Sequence, residues 1–389
     1  MEKIRLGIIG IGNMGSEHCR LILSGQTPEI ALTCVADPRQ DRRDWAQQTL
    51  PAGTGIYADG MSLIRAHACD AVLIATPHEL HPPLAEAALR AGLHVLSEKP
   101  AGVYTAQLHP VIAAAQETGR TYALMFNQRT NCVYRKAKEL IDSGALGEIK
   151  RMIWVVTDWY RTQSYYDAGA WRATWDGEGG GVLLNQCPHQ LDLLQWLCGL
   201  PVRVRAACHE GKWHDIEVED DVTAYLEFAN GATGTFIAST GDALGENRLE
   251  IIGTRARIRI ENDQLTLDTL GVDERDWCPV CKEPFGVPDI QHEIVQTDGE
   301  NPQHAGVLNA FAAHILHGTP LVADGREGIR GLMLSNAMHL SSWTNQTVSL
   351  PIDEELFLKL LNEKRRTSRH KDEVDAAIDV SGSFGSTRK

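Results

Sequence analysis

Along the first third of the chain, short unbroken apolar runs alternate with helical patterns. Residues 6–9, 31–36, 71–76, 93–97 and 122–126 each read as a strand buried on both faces, and 55–58 is a shorter candidate. The segment 82–91 has proline in its first turn and Gly92 past its end, which predicts a helix, and 106–117 predicts another. Strand–helix alternation of this kind predicts a doubly wound parallel sheet over residues 1–125. The pattern then changes. A helix near 134–143 and a strand over 148–157 precede runs of period two at 202–208, 222–228, 232–238, 248–252 and 256–260, with the turn signal Asn230-Gly231 between two of them. These runs predict a mostly antiparallel open sheet within a second domain, 126–362, that carries substrate and a subunit interface. Helical patterns cover 182–197, 305–316 and 328–343. The segment 271–303 holds four prolines and little periodicity, so it predicts a loop. Mixed charges and a terminal Ser/Gly-rich stretch predict a flexible tail over 363–389. The expected class is α/β plus α+β: a Rossmann domain followed by an open-sheet domain.

Charge removes some functions from consideration. With 37 basic and 51 acidic residues the chain carries a formal −14, which argues against nucleic acid or an anionic membrane as partner. No apolar signal core or run of about 20 apolar residues is present, and nine dispersed cysteines suit reduced thiols, so a cytoplasmic location is expected. Cys278-Pro279-Val280-Cys281 is the one close pair, too little to predict a metal site.

The glycine-rich turn after the first strand carries the clearest chemistry. In Gly10-Ile11-Gly12-Asn13-Met14-Gly15, Gly10 permits a tight turn, Gly12 lets the backbone approach a pyrophosphate, and Gly15 lets the helix pack on its strand. The helix start then offers free N–H groups, those of Asn13 and Met14 among them, to the phosphates. Asp37 ends the next strand at the spacing expected of a ribose-binding acid, which favours NAD over NADP; Arg39, Arg42 and Arg43 behind it would soften that preference.

A second stretch runs from Trp171-Arg172 through Gly179-Gly180-Gly181 to His189. If 182–197 is helical, Asn185, His189 and Asp192 share one face, with a kink at Pro188. Asp192 then either orients His189 or is a surface carboxylate. Trp154, Trp159, Tyr160, Tyr165, Tyr166, Trp171 and Trp175 crowd into 22 positions, although aromatics make up only 6% of the chain. Flat rings with polar edges suit a pyranose, or else form a core between domains; Asp158, Arg161 and Asp167 would supply polar contacts.

Taken together, the glycine turn, Ala75-Thr76-Pro77 with His81, Glu98-Lys99-Pro100, Phe126-Asn127, Trp171-Arg172 and the triple glycine followed by His189 make the chain resemble the glucose-fructose oxidoreductase and inositol dehydrogenase (Gfo/Idh/MocA) family over residues 3–350. The resemblance implies that Lys99 hydrogen-bonds the reacting hydroxyl, that Glu98 positions the nicotinamide ribose, and that Thr76, His81, Asn127 and Arg172 line the cofactor. His189 is then the candidate general base, with an unperturbed pKa near 6.5. Asn185 departs from the acid many relatives carry, so it should bind substrate, together with Trp171, Tyr165, Tyr166 and Asp158. The implied activity is NAD-dependent oxidation of a secondary ring hydroxyl of a pyranose, glycoside or cyclitol, in a homodimer or homotetramer. Two alternatives stand beside it: a redox glycosidase that oxidises transiently and eliminates the aglycone, and a non-catalytic cofactor-binding regulator.

Overall fold

A computed structural model describes residues 3–369. The apolar runs of the first third form six parallel strands: β1 (Ile4–Ile9), β2 (Ile30–Ala36), β3 (Gly55–Tyr57), β4 (Ala71–Ile74), β5 (His94–Ser97) and β6 (Tyr122–Leu124), in the spatial order β3-β2-β1-β4-β5-β6. The order reverses between β1 and β4, and beyond the carboxyl ends of such a pair an open α/β sheet holds its ligand. Alternate residues along each strand face opposite helix layers. Leu6, Ile8, Val35, Leu73 and Leu96 pack with Cys19 and Ile22 of the helix Asn13–Leu23, and with Val307, Leu308 and Phe311 of the helix Gln303–His317. Ile9, Val72, Ile74 and Val95 face Leu63 and Ile64 on one side helix and Ala85 and Leu89 on another. One layer over the Rossmann sheet is therefore completed by a helix from the far end of the chain.

Nine strands make the second sheet: β7 (Ile149–Val156), β8 (Arg203–Glu210), β9 (Glu219–Glu227), β10 (Thr233–Ser239), β11 (Asn247–Gly253), β12 (Ala256–Glu261), β13 (Gln264–Leu270), β14 (Ile290–Ile294) and β15 (Val348–Ser349), in the order β14-β13-β12-β11-β7-β10-β9-β8-β15. Only the central β7–β10 pair is parallel; the other neighbours run antiparallel, as the period-two runs predict. The helices Pro188–Cys198 and Gly328–Thr344 cover one face, where Ser341 and Ser342 hydroxyls accept the N–H groups of Ala206 and Cys208 at 2.9 and 3.0 Å.

Three local expectations change. The segment 271–303 contains the short helix Glu274–Trp277 and β14, which pairs with β13 at the sheet edge. All five residues of β14 are exposed, so no buried face imposed an alternating pattern on its sequence. The helix expected over 182–197 starts only at Pro188, whose missing N–H costs nothing at a first turn; Pro188 opens that helix and does not kink it. Past residue 362, the helix Glu354–Arg365 continues and the chain then turns back so that Ser368 and Arg369 bond Glu217. Of the expected tail, residues 370–389 lie outside the described residues. Among the described residues no helix is long and apolar enough to cross a membrane.

Candidate active site

The three glycines of the first turn occupy three different physical situations. Gly10 has φ +87°, and a Cβ there would sit 2.6 Å from the Ala75 carbonyl oxygen of the neighbouring strand end. A Cβ on Gly15 would lie 1.8 Å from the Gly10 carbonyl, so the helix rests directly on the turn. A Cβ on Gly12 would meet nothing within 4 Å. This open space lies at the uncapped N-terminus of the helix that begins at Asn13 and continues through Met14, an arrangement that has room for a pyrophosphate.

Asp37 is buried at the end of β2, where its carboxylate accepts the N–H of Ile11 at 2.9 Å and that of Arg39 at 3.0 Å. Each carboxylate oxygen keeps a lone pair for a ribose hydroxyl. The arginines behind it are committed elsewhere: Arg39 and Arg42 to Asp41, and Arg43 to the carbonyls of Asp37 and Pro38. Their engagement leaves the preference for NAD standing.

The ends of β4 and β5 form the floor of the cleft. His81 spans it, with its ring nitrogens 2.8 Å from the Pro100 carbonyl and 2.7 Å from the Thr76 carbonyl. Glu98 is buried and meets His18 Nε2 at 2.7 Å; burial alone would raise its pKa, but the bond and charge of His18, aided by His304 and Lys99, hold it at about 2. It therefore stays a carboxylate suited to accepting hydroxyls. Thr76 Oγ1 and Asn127 Oδ1 are buried without partners, while the Asn127 amide donates to Gln303. Orphaned buried polar atoms beside an open glycine turn fit a ligand rich in hydroxyls and amides, as a dinucleotide is.

Lys99 crosses from the first domain to the second. Its Nζ donates to the Asn185 backbone carbonyl at 2.9 Å, and burial, the strongest influence, lowers its pKa against the pull of Glu98 and Glu178. Asn185 sits in the turn before the helix, not on it, so it does not share a helix face with His189. The buried carboxylate of Glu219 fixes this turn, accepting the N–H groups of Gly181 at 2.9 Å and Leu183 at 3.0 Å. The glycines are needed for that approach, since a Cβ on Gly181 would lie 1.9 Å from the Glu219 carbonyl and one on Gly179 2.3 Å from Val103. Glu178 is buried, accepts the Ala173 N–H at 2.6 Å, and receives the Asn185 side-chain amide. Burial, the strongest influence, raises the Glu178 pKa against the pull of Arg172, and with the Asn185 NH2 turned to this carboxyl group its Oδ1 faces elsewhere.

His189 lies at the start of the helix with its ring edge-on to Phe126, and its buried Nδ1 has no partner. Burial first and the nearby Lys99 charge second push its pKa down to about 3, well below the 6.5 expected from sequence. It is a neutral imidazole at working pH. Asp192 neither orients His189 nor lies on the surface: it forms a buried two-point pair with Arg129, at 2.8 and 2.7 Å.

The aromatic loop divides. Trp154, Tyr166 and Trp175 are core residues: Trp154 packs edge-on to Phe236, the Tyr166 and Thr240 hydroxyls hydrogen-bond at 2.7 Å, and Trp175 packs on His339 and Trp343. Tyr166 is thus turned into the second sheet, away from the substrate role expected of it. Trp171 lies edge-on to His78, its neighbour Arg172 donates to the Tyr165 hydroxyl at 2.6 Å, and Asp158 is partly buried just after β7. Sequence reasoning missed Glu178, His18 and His304. Glu178 stood next to the triple glycine, which was the available signal; His18 and His304 meet only in three dimensions, at 5.5 Å between ring centres.

Comparison with known proteins agrees with this architecture. The model of an oxidoreductase family with an NAD-binding Rossmann fold, GFO/IDH/MocA, matches residues 4–126, and the GFO/IDH/MocA C-terminal domain matches 134–259. The uncharacterized oxidoreductase YdgJ of Escherichia coli is 30% identical over 208 residues, a match spanning 52% of this chain and 55% of that protein. The myo-inositol 2-dehydrogenase of Thermotoga maritima is 24% identical over 89% of this chain and 98% of its own. The crystal structure of the WlbA dehydrogenase from Bordetella pertussis, in complex with NADH and UDP-GlcNAcA, superposes with a TM-score of 0.76 at 26% identity, covering 90% of this chain and all of that one.

Proposed function

Because the chain belongs to the GFO/IDH/MocA family of NAD-binding oxidoreductases, we propose that it oxidises a secondary ring hydroxyl of a pyranose sugar, glycoside or cyclitol to a ketone. The observation that carries this reading is the junction at Lys99. A buried ammonium with a lowered pKa is held by the Asn185 carbonyl, with Glu98 beside it in sequence and His189 within reach of its charge. Bound nicotinamide supplies the hydride acceptor. Lys99 donates to the reacting oxygen and stabilises charge developing there. The neutral ring of His189 takes the hydroxyl proton, and that same negative charge strengthens it as a base during the step. Asn185 Oδ1 accepts from a neighbouring hydroxyl and, lacking a proton to exchange, positions without transferring. The reduced, dispersed cysteines support a cytoplasmic setting. The outer face of the second sheet, with Tyr225 44% exposed, supports a homodimer or homotetramer.

The test is NADH absorbance on mixing protein and NAD with pyranoses, glycosides and inositols, with aglycone release followed in parallel. Net reduction with one sugar group, lowered by ~100-fold or more in Lys99→Met and His189→Gln, is the expected result. Aglycone release without net reduction would replace the dehydrogenase by the redox glycosidase. Full activity in both variants would remove these residues from the chemistry.

A further inference from the structure

Beside the reacting groups, the loop after β7 builds a ladder of alternating rings and guanidinium groups. Arg161 lies over Trp159 at 5.5 Å and over Tyr165 at 5.0 Å; Arg172 lies over the same Tyr165 at 4.3 Å and over Trp171 at 4.8 Å. Stacking fixes each guanidinium plane and leaves its edge for hydrogen bonds. Arg161 anchors one nitrogen, Nη1, on the Tyr160 carbonyl at 3.0 Å and more loosely on that of Trp159. Its Nε is shielded from water and has no acceptor. The charges of Arg172 and Arg161 both reach Lys99, so three cations border one cleft. Two acids also reach Lys99: Glu98, held by His18, and Glu178, occupied by Ala173 and Asn185, and neither bonds Arg161. This convergence runs against the formal −14 of the whole chain.

We infer that Arg161, steadied on Trp159 and Tyr165, is the specificity residue for a substrate bearing an anionic substituent, a ring carboxylate or a phosphate ester, which it grips through its Nε edge. A neutral hydroxyl would leave that edge half satisfied. A carboxylate or phosphate offers two oxygens at the spacing of the fork, in a site where the charge is shielded from water. The inference rests on the reading of the site as a sugar dehydrogenase and narrows its substrate class.

The experiment titrates NADH-loaded protein with glucose, glucuronate and glucose 6-phosphate, following quenching of nicotinamide fluorescence, and assays the same three for NAD reduction. The expected result is at least ~10-fold tighter binding of one anionic sugar than of glucose, the scale of one charge-assisted hydrogen bond at a shielded site. The better of the two identifies carboxylate or phosphate. Arg161→Gln should bring the ratio of anionic to neutral affinity close to one, and Arg161→Lys should recover part of it, with melting temperature confirming that both variants fold. Glucose binding and turnover equal to those of both anions, with no change of ratio in either variant, would overturn the inference and leave the dehydrogenase reading intact. Failure of all three sugars to bind, with inositols and glycosides also inert, would overturn both.

Discussion

Substituting alanine separately at Gly12 and Gly15 should separate cofactor binding from folding, although the two glycines are three residues apart. At Gly15 the new methyl starts 1.8 Å from the Gly10 carbonyl oxygen, and real Cβ contacts essentially never fall under 3.0 Å, so helix and turn must part by at least 1.2 Å. Forcing such a gap into a packed junction costs about 1–3 kcal/mol. Spread over a domain of this size, the loss corresponds to a melting temperature lower by roughly 2–10 °C. At Gly12 the backbone has φ −64° and ψ −150°, open to alanine, and the methyl meets no protein atom within 4 Å. Stability should stay within about 0.5 kcal/mol of the parent. The methyl does, however, fill the approach of a pyrophosphate to the helix N-terminus. Losing one or two charge-assisted hydrogen bonds, each about 1.5–3 kcal/mol, weakens NAD by ~10-fold or more. Differential scanning fluorimetry of the apoprotein and NADH fluorescence titration read the two effects independently. Unchanged NAD affinity in Gly12→Ala, or an unchanged melting temperature in Gly15→Ala, would refute the reasoning.

Other consequences follow from single residues. Asp37→Asn keeps an acceptor for the Ile11 N–H but removes the charge that repels a 2'-phosphate, so the NAD:NADP ratio of kcat/KM should fall by ~10-fold or more. His189 titrates at about 3 in the fold against 6.5 in an unfolded chain, so between these values the unfolded state binds the extra proton. Its effect is destabilisation that begins as pH falls below 6.5 and is complete near 3, and His189→Gln should flatten the difference in urea midpoint against pH across that window. A parallel slope in parent and variant would count against the low value. Arg129→Met leaves Asp192 buried without its partner, and unfolding free energy should drop by about 3–5 kcal/mol in denaturant titration, whereas an exposed pair such as Arg203–Glu227 should cost no more than about 1 kcal/mol.

Wherever a residue's role depends on its chain neighbours, the sequence alone determined the outcome. The glycine turn, the acid at the tip of β2, the buried parallel strands and the period-two strands of the second sheet all follow from local sterics and from one or two faces being buried. Lys99 and Asn185 were named as candidates, but that they touch was not legible, because 86 residues separate a strand end of one domain from a turn of the other. Asn185 was expected on the helix of His189; the distant Glu219 instead holds residues 181–183 in a turn. The low pKa of His189 is illegible in the sequence for the same reason, since burial and the nearby Lys99 charge are properties of the assembled cleft. Asp192, Tyr166 and β14 show the limit from the other side: an acid, a phenol and an exposed strand have no local pattern that announces Arg129, Thr240 or a sheet edge as their partner. Patterning fixes which faces are buried, while long-range contacts decide which buried groups meet, and the chemistry of this site resides in the meetings.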